Sequence, residues 1–286
     1  MSYKLIADPI IKGKLEKIKN RSNEVYEKYK VMPTLLLIRV GNRNEDIAYE
    51  RVIINNCKKT NIHSQTLILD GSITMDDFEK VIMDANNNED VHGIIVFRPL
   101  PQHLDSKKIS LLIDSKKDVD CMSYENVEKI FTNRDVIFSP CTAKATIELL
   151  EYYRIPIKGK RVCVVGTSMV VGKPLAMMFL DRFATVTMCH IYTENLKEIT
   201  KQSDIVVVAI GKAKFFDKSY FNENAVVVDI GVSFDSDNNI CGDVDFVDVC
   251  DSVKAISPRA NGVGNITTAI LLNQIITACE LQSKAI

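Results

Sequence analysis

Residues 159–174, Gly-Lys-Arg-Val-Cys-Val-Val-Gly-Thr-Ser-Met-Val-Val-Gly-Lys-Pro, have the types and spacing to hold a phosphate. An apolar, β-branched run at 162–165 stops at Gly166; Gly172 follows, then Pro174 and an apolar helical pattern over 175–180. A strand, a tight turn and a helix start direct free backbone N–H groups and the positive end of a helix dipole at an anion. Gly166 permits the turn, and Gly172 permits close packing or close approach to phosphate. The pair departs from G-x-G-x-x-G spacing, and alone it also fits a plain strand-to-helix turn. Two further apolar runs end at glycine, in Val-Ala-Ile-Gly211-Lys and in Asp229-Ile-Gly231-Val. Ligands of open α/β sheets bind beyond such strand ends, so Gly166, Gly172, Gly211 and Gly231 are read together as a nucleotide site.

The elements that must position these glycines are legible as alternation. Strands are expected at 161–165, 185–189, 205–209 and 225–229, as runs rich in Val and Ile that are buried on both faces. Helices are expected at 172–182, 194–201 and 217–221, with a broadly apolar helix over 267–283. The first half repeats the theme: a helix over 8–29, a strand over 34–40, a polar loop over 41–46, then helices at 47–59 and 75–86. Further strands are expected at 65–69 and 93–96, the latter stopped by Pro99 and Pro101. Near Ser139 and Pro140 a strand-like segment gives way to a helix over 142–153, which marks a boundary. Repeated βα alternation predicts an α/β chain with mostly parallel sheets and helices on their faces.

The 286 residues allow one large domain or two ordinary ones, and an apolar fraction of 46% supplies ample core. Lys+Arg of 36 against Asp+Glu of 37 leaves no basic excess for nucleic acid and no acidic tail. No apolar run approaches the roughly 18 residues of a membrane span. The N-terminal residues show no cationic stretch ahead of an apolar core, so no signal peptide is expected and a cytoplasmic location is read. The 8 cysteines lie scattered without a C-x-x-C pair, and Cys163 and Cys189 read as small buried hydrophobes. His63, His92, His103 and His190 do not cluster, so no metal site is expected.

An ordered series of motifs carries a specific resemblance. Gly166-x-Ser168-x-x-Val171-Gly172-x-Pro174, Ala184-Thr-Val-Thr-x-Cys189-His190, Asp204-Ile-Val-Val-Val-Ala209-Ile-Gly211-Lys and Gly242-Asp-Val-Asp-Phe246 follow one another. Upstream lie Val40-Gly41-Asn with Tyr49, Gly93-Ile-x-Val-x-x-Pro99-Leu100-Pro101, Lys117-Asp118-Val-Asp120 and Pro140-Cys-Thr142; downstream lies Asn261-Gly262-Val-Gly264-x-x-Thr267. Together they resemble the methylenetetrahydrofolate dehydrogenase/cyclohydrolase family, of the FolD type, from about residue 33 to 275. The resemblance implies an N-terminal α/β folate domain, at 1–140 plus 270–286, and a C-terminal Rossmann-like nucleotide domain at 141–269, with a folate cleft between them. It implies an oxidoreductase of one-carbon metabolism that transfers a hydride from 5,10-methylenetetrahydrofolate to NADP or NAD. A second, hydrolytic activity and a homodimer are further properties of the family. Tyr49 and Asp120 match its catalytic and folate-binding positions, Tyr49 against the ring system and Asp120 on the pterin edge, where a carboxylate suits adjacent N–H donors. Alone, Tyr49 reads as a helix-face core residue and Asp120 as a turn residue. Pro99, Leu100, Gly262 and Gly264 fall on folate-binding loops. Thr167, Ser168, Ile191 and Ala209 join the glycines as cofactor-binding positions.

Several positions depart from the family. Its tyrosine is followed one helical turn later by a lysine on the same face, and Ile53 stands there. Its partner glutamine is replaced by Phe97. The lysine serves hydrolysis, whereas hydride transfer needs mainly aligned rings and excluded water, so the reading is a dehydrogenase with weak or absent cyclohydrolase activity. The alternative is a degenerate folate- or nucleotide-binding protein with a regulatory role. Arg98, Arg51, Lys58 and Lys59 are the nearby cations, of which Arg98 lies beside the lost glutamine; the two lysines lie too far along the helix to replace the lost one. Cys121 replaces a glycine, Ala143-Lys144-Ala145 replaces Pro-x-Gly, and Arg259-Ala260-Asn261 replaces Val-Pro-Gly, with Asn261 able to keep a positive φ. Thr167 and Ile191 stand where NADP-using members often place an arginine and a serine, which leans the cofactor toward NAD, with Lys173 or another basic group as a compensating charge; Glu194 reads first as a solvated helix-start glutamate and second as a partner for a ribose hydroxyl.

Overall fold

The computed structural model describes residues 2–235 and 239–284. In chain order the elements are β1 (Tyr3–Lys4), α1 (Asp8–Tyr29), β2 (Thr34–Val40), α2 (Asn44–Lys59), β3 (His63–Leu69), α3 (Met75–Asn87), β4 (Gly93–Val96), α4 (Ser106–Leu112) and α5 (Tyr124–Thr132). There follow α6 (Cys141–Tyr152), β5 (Arg161–Val165), α7 (Gly172–Leu180), β6 (Thr185–Cys189), α8 (Leu196–Lys201), β7 (Ile205–Val208), β8 (Val226–Asp229), β9 (Ser233–Phe234), β10 (Ile240–Cys241), α9 (Phe246–Val249), β11 (Ala255–Ile256) and α10 (Val263–Ser283). Two compact units result: Lys12–Cys141 with Thr268–Ile286, and Met1–Ile11 with Thr142–Thr267. They are called here the small-sheet and the large-sheet unit.

The small-sheet unit is built on a parallel sheet of order β3-β2-β4. Central β2 is buried at every position, as a nearly continuous apolar run requires. Leu36, Ile38 and Val40 share one face with Ile94 and Val96 and pack with Phe78, Ile82 and Ala85 of α3. That helix starts cleanly because the Thr74 hydroxyl accepts the Asp77 N–H. Arg39 interrupts the apolar run; its guanidinium pairs with Glu50 of α2 at 2.8 Å and bonds Asn42 and the Gly41 carbonyl, tying the end of β2 to the helix after it. The strand-like segment expected before Pro140 is not a strand, and the short helices α4 and α5 were not expected. Helices of 7 and 9 residues carry little periodicity, although their caps, Asp105 and Ser123, are ordinary N-cap residues.

The large-sheet unit holds a parallel sheet of order β1-β11-β8-β7-β5-β6. Residues up to Ile11 fall in this unit, whereas the sequence reading grouped them with 12–140; Tyr3 and Lys4 pair with β11, and Leu5 donates its N–H to Ile256 at 2.9 Å. Counted from β5, the five principal strands run 2-1-3-4-5, so the crossovers leave β5 in opposite senses toward β6 and β7. That reversal is a topological switch point, where such sheets open a crevice. β6 does not match the expectation of burial on both faces: it is the sheet edge, and Thr185, Thr187 and Met188 are exposed.

Two buried carboxylates organise the loops beyond β7 and β8. Asp243 accepts the N–H groups of Ile210, Gly211 and Lys212 at 2.6, 3.1 and 2.8 Å. Asp229 accepts those of Gly231, Asp243 and Val244 at 2.9, 3.1 and 2.9 Å. Burial nevertheless pushes the Asp229 carboxyl up to about 7. Replacing Asp243 with Ala removes the shared acceptor of three N–H groups, of which those of Gly211 and Lys212 belong to exposed residues that water can reach. A loss of roughly 1–3 kcal/mol is therefore expected in thermal or urea unfolding, and no measurable loss would show that the loop is held by other contacts.

Candidate active site

In the small-sheet unit the structure gathers Tyr49, Ile53, Phe97, Arg98 and Asp120. Tyr49 and Ile53 lie one helical turn apart on α2 and share a face. Ile53 is fully buried, Phe97 is 6% exposed, and the Phe97 ring meets Tyr49 edge-on with centroids 6.1 Å apart. The family's lysine and glutamine positions are therefore closed, apolar and packed, with no polar atom left unpaired by the change. Arg51, Lys58 and Lys59 are exposed and cannot replace the lysine on that face. Arg98 points otherwise: its Nη2 lies 3.5 Å from Asp120 Oδ2, and its side chain is 18% exposed. Pro99 is exposed, its carbonyl accepts from Arg43 at 3.3 Å, and half-buried Leu100 packs against the core.

Asp120 sits on a loop fixed by Asp118. Asp118 is 1% exposed, accepts the N–H groups of Met122 and Ser123 at 2.8 Å each, and accepts Asn126 Nδ2 at 2.9 Å. Cys121 takes the glycine position with φ +56°, so the backbone shape survives the substitution. The other Asp120 oxygen receives the Cys141 N–H at 3.4 Å. Gln274, on α10, donates to the carbonyls of Val119 and Ser139 at 2.7 and 3.0 Å and accepts the Ser139 N–H at 2.8 Å, clamping both flanks. Burial pushes the Asp120 carboxyl up, against the pull of the Arg98 charge. Burial, with the neighbouring Asp120 and Cys141, pushes the Tyr49 phenol well up, which keeps it a neutral O–H donor. Asp118 and Gln274 escaped the sequence reading as site-building residues. The polar pair Asn273-Gln274 inside the apolar stretch of α10 was the available signal.

In the large-sheet unit, Gly166, His190, Ala209 and Ile230 are the first residues past β5, β6, β7 and β8, aligned by the strand register. Gly166 has φ +134°, and a Cβ there would overlap the Ala209 carbonyl. A Cβ on Gly172 would overlap the Gly166 carbonyl oxygen, so both glycines are required by close backbone approach at the switch point. Thr167 and Ser168 are exposed on this loop; the Ser168 hydroxyl accepts the Val171 N–H at 3.1 Å. The α7 N-terminus has no side-chain cap at Val171, and Pro174 in its first turn has no N–H to satisfy. An uncapped helix start beneath a glycine turn fits a diphosphate. Ile191 and Glu194 are exposed on the loop after β6, and Lys173 is exposed in the first turn of α7. Gly211 and Gly231 contribute shape only, since their N–H groups go to Asp243 and Asp229, and a Cβ on Gly231 would collide with the Asp243 carboxylate. Asn261 has φ +61° and caps the N-terminal segment, its carbonyl and Oδ1 accepting Ala7 N–H and Asp8 N–H at 2.8 and 2.9 Å. Gly262, where a Cβ would overlap the Pro258 carbonyl, and Gly264 lie beside it in this unit. Among the described residues no His, Cys, Asp or Glu cluster could hold a metal, and no helix is long and apolar enough to cross a membrane.

Comparison with known proteins gives this geometry a family. Residues 5–120 match the catalytic domain, and residues 140–283 the NAD(P)-binding domain, of tetrahydrofolate dehydrogenase/cyclohydrolase. The bifunctional protein FolD of Clostridium botulinum (strain Okra / Type B1) is 47% identical over 270 residues, covering 93% of this chain and 96% of its own. Among solved structures, the bifunctional FolD enzyme of Campylobacter jejuni superposes with a TM-score of 0.93 at 31% identity, over 98% of this chain and 99% of its own. The methylenetetrahydrofolate dehydrogenase-cyclohydrolase of Trypanosoma brucei, complexed with NADP and an inhibitor, gives a TM-score of 0.92 at 28% identity, over 98% of each chain. With an α/β catalytic domain and a Rossmann-like NAD(P)-binding domain, the chain belongs to the tetrahydrofolate dehydrogenase/cyclohydrolase family, as an oxidoreductase of one-carbon metabolism.

Proposed function

We propose that the chain oxidises 5,10-methylenetetrahydrofolate to the methenyl form by hydride transfer to NAD(P), and that cyclohydrolase activity is weak or absent. The observation that carries the second half is the apolar wall made by Ile53 and Phe97, 0% and 6% exposed. Hydrolysis needs a group that activates water and moves protons. On α2 the position one turn after Tyr49 offers only a buried hydrocarbon. Tyr49, held neutral, presents an aromatic face and an O–H to the folate ring, and Asp120 accepts pterin N–H donors. Gly166, Thr167, Ser168 and Gly172 hold the dinucleotide diphosphate at the start of α7. A bound nicotinamide supplies the hydride acceptor. The protein aligns the rings and excludes water, which hydride transfer requires and an apolar wall favours. A cytoplasmic homodimer agrees with the family resemblance.

The direct test follows methenyltetrahydrofolate absorbance with purified protein, methylenetetrahydrofolate and either nucleotide. Methenyl product is expected to accumulate and then decay no faster than without enzyme. Absence of hydride transfer with both nucleotides would leave the folate-binding, regulatory alternative; enzyme-accelerated decay would show that another residue performs the hydrolysis.

Burial of Ile53 and Phe97 beside Tyr49 in this unit also predicts a coupling. Ile53→Lys alone introduces an unpaired ammonium into a fully buried position, costing roughly 3–5 kcal/mol. Adding Phe97→Gln is expected to recover part of this, giving a double-mutant-cycle coupling of about 1 kcal/mol or more in urea unfolding. Additive effects would mean that the two side chains do not share one site.

Nucleotide preference leans to NAD, because Thr167 and exposed Ile191 provide no fork for a 2′-phosphate. Installing Thr167→Arg with Ile191→Ser is expected to raise the NADP over NAD ratio of kcat/KM about 10- to 100-fold, from charge-assisted bonds of roughly 1.5–3 kcal/mol. An unchanged ratio would place the discriminating contact elsewhere.

A further inference from the structure

We propose that Arg98 is a positioning residue, which sets the Asp120 carboxylate to receive the N–H donors of the pterin ring. The inference rests on the reading of Asp120 as the folate carboxylate given above. Arg98 follows Phe97 directly and, with its side chain 18% exposed, is not a solvated surface arginine. Its Nη2 lies 3.5 Å from Asp120 Oδ2, while Cys141 N–H reaches Oδ1 at 3.4 Å. Both contacts are long, so they orient the carboxylate without exhausting its roughly four lone-pair sites. A pair of adjacent pterin N–H donors can still be accepted.

The groups facing Asp120 make the cation necessary. Asp118 brings a second negative charge on the same loop, with its own oxygens occupied by Met122, Ser123 and Asn126. Tyr49 on α2 contributes a phenol, and Cys121 and Cys141 contribute thiols. Burial favours the neutral acid, and Arg98 is the nearby cation that opposes it. A protonated carboxyl meets paired N–H donors with one of its oxygens carrying a proton of its own, and loses an acceptor. A guanidinium is a poor proton-transfer group, so the role of Arg98 is to orient its partner and set the local charge. With Ile53 and Phe97 apolar, it supplies the positive charge on this wall.

The sign of the pH dependence follows. Folate binding needs ionised Asp120, so it weakens as pH falls through that group's titration. Removing Arg98 moves the weakening to higher pH. The test measures calorimetric binding of 5-formyltetrahydrofolate to wild type, Arg98→Leu and Arg98→Lys between pH 5.5 and 8.5, alongside KM and kcat for methylenetetrahydrofolate. For Arg98→Leu, the pH at which affinity falls away is expected to move upward, with affinity on the acid side of that titration dropping about tenfold for each pH unit of displacement. Its affinity should approach that of wild type at the alkaline end, with KM rising and kcat at saturation retained. Arg98→Lys, which keeps charge and most of the bulk, should restore the wild-type profile and serves as the folding control. Parallel pH profiles, tighter binding by Arg98→Leu at every pH, or a kcat loss with unchanged KM would each overturn the proposal. Wild-type protein that binds no folate at any pH would instead sink the reading of the site, and folate binding without hydride transfer would sink only the proposed activity.

Discussion

A parallel sheet leaves backbone amides at the end of every strand, and each must find an acceptor. In the large-sheet unit that constraint is met in two ways. Beyond β7 and β8, Asp243 and Asp229 collect six N–H groups between them, so those loops are rigid and internally satisfied. Beyond β5 no side chain caps α7 at Val171, and the Lys173 N–H goes to the Ser168 carbonyl at 3.0 Å. Two strand ends are thus closed by buried carboxylates, and the third is closed by backbone alone.

The small-sheet unit applies the same economy to a loop. Asp118 and Gln274 saturate the backbone around residues 118–141, which leaves Asp120 as the carboxylate with capacity to spare. Asp118 does the scaffolding, and two aspartates separated by one residue thus differ in how far the protein itself occupies their oxygens.

Much of this was legible in the sequence, for identifiable reasons. The βα alternation and the Gly166 turn come from local apolar periodicity and from steric demands that only glycine meets. The positive φ at Asn261 followed from residue type. What escaped depends on distant pairing. Gln274 lies more than 130 residues from Ser139, and the carboxylate that takes the Gly211 N–H lies some thirty residues on, beyond the reach of local patterning. β6 reads like its buried neighbours because edge position is a property of topology, not of composition. The N-terminal strand is too short to announce itself, and its pairing with β11 alone assigns it.

The Phe97 ring set edge-on to Tyr49, with Ile53 buried one helical turn from Tyr49, bears on descent as well as on chemistry. Going back by one substitution meets a penalty from either side: a lone ammonium without a partner, or a lone amide against hydrocarbon. Only the paired change crosses that barrier. Such a wall acts as a ratchet, because packing disfavours each single exchange at these two positions before selection on function enters.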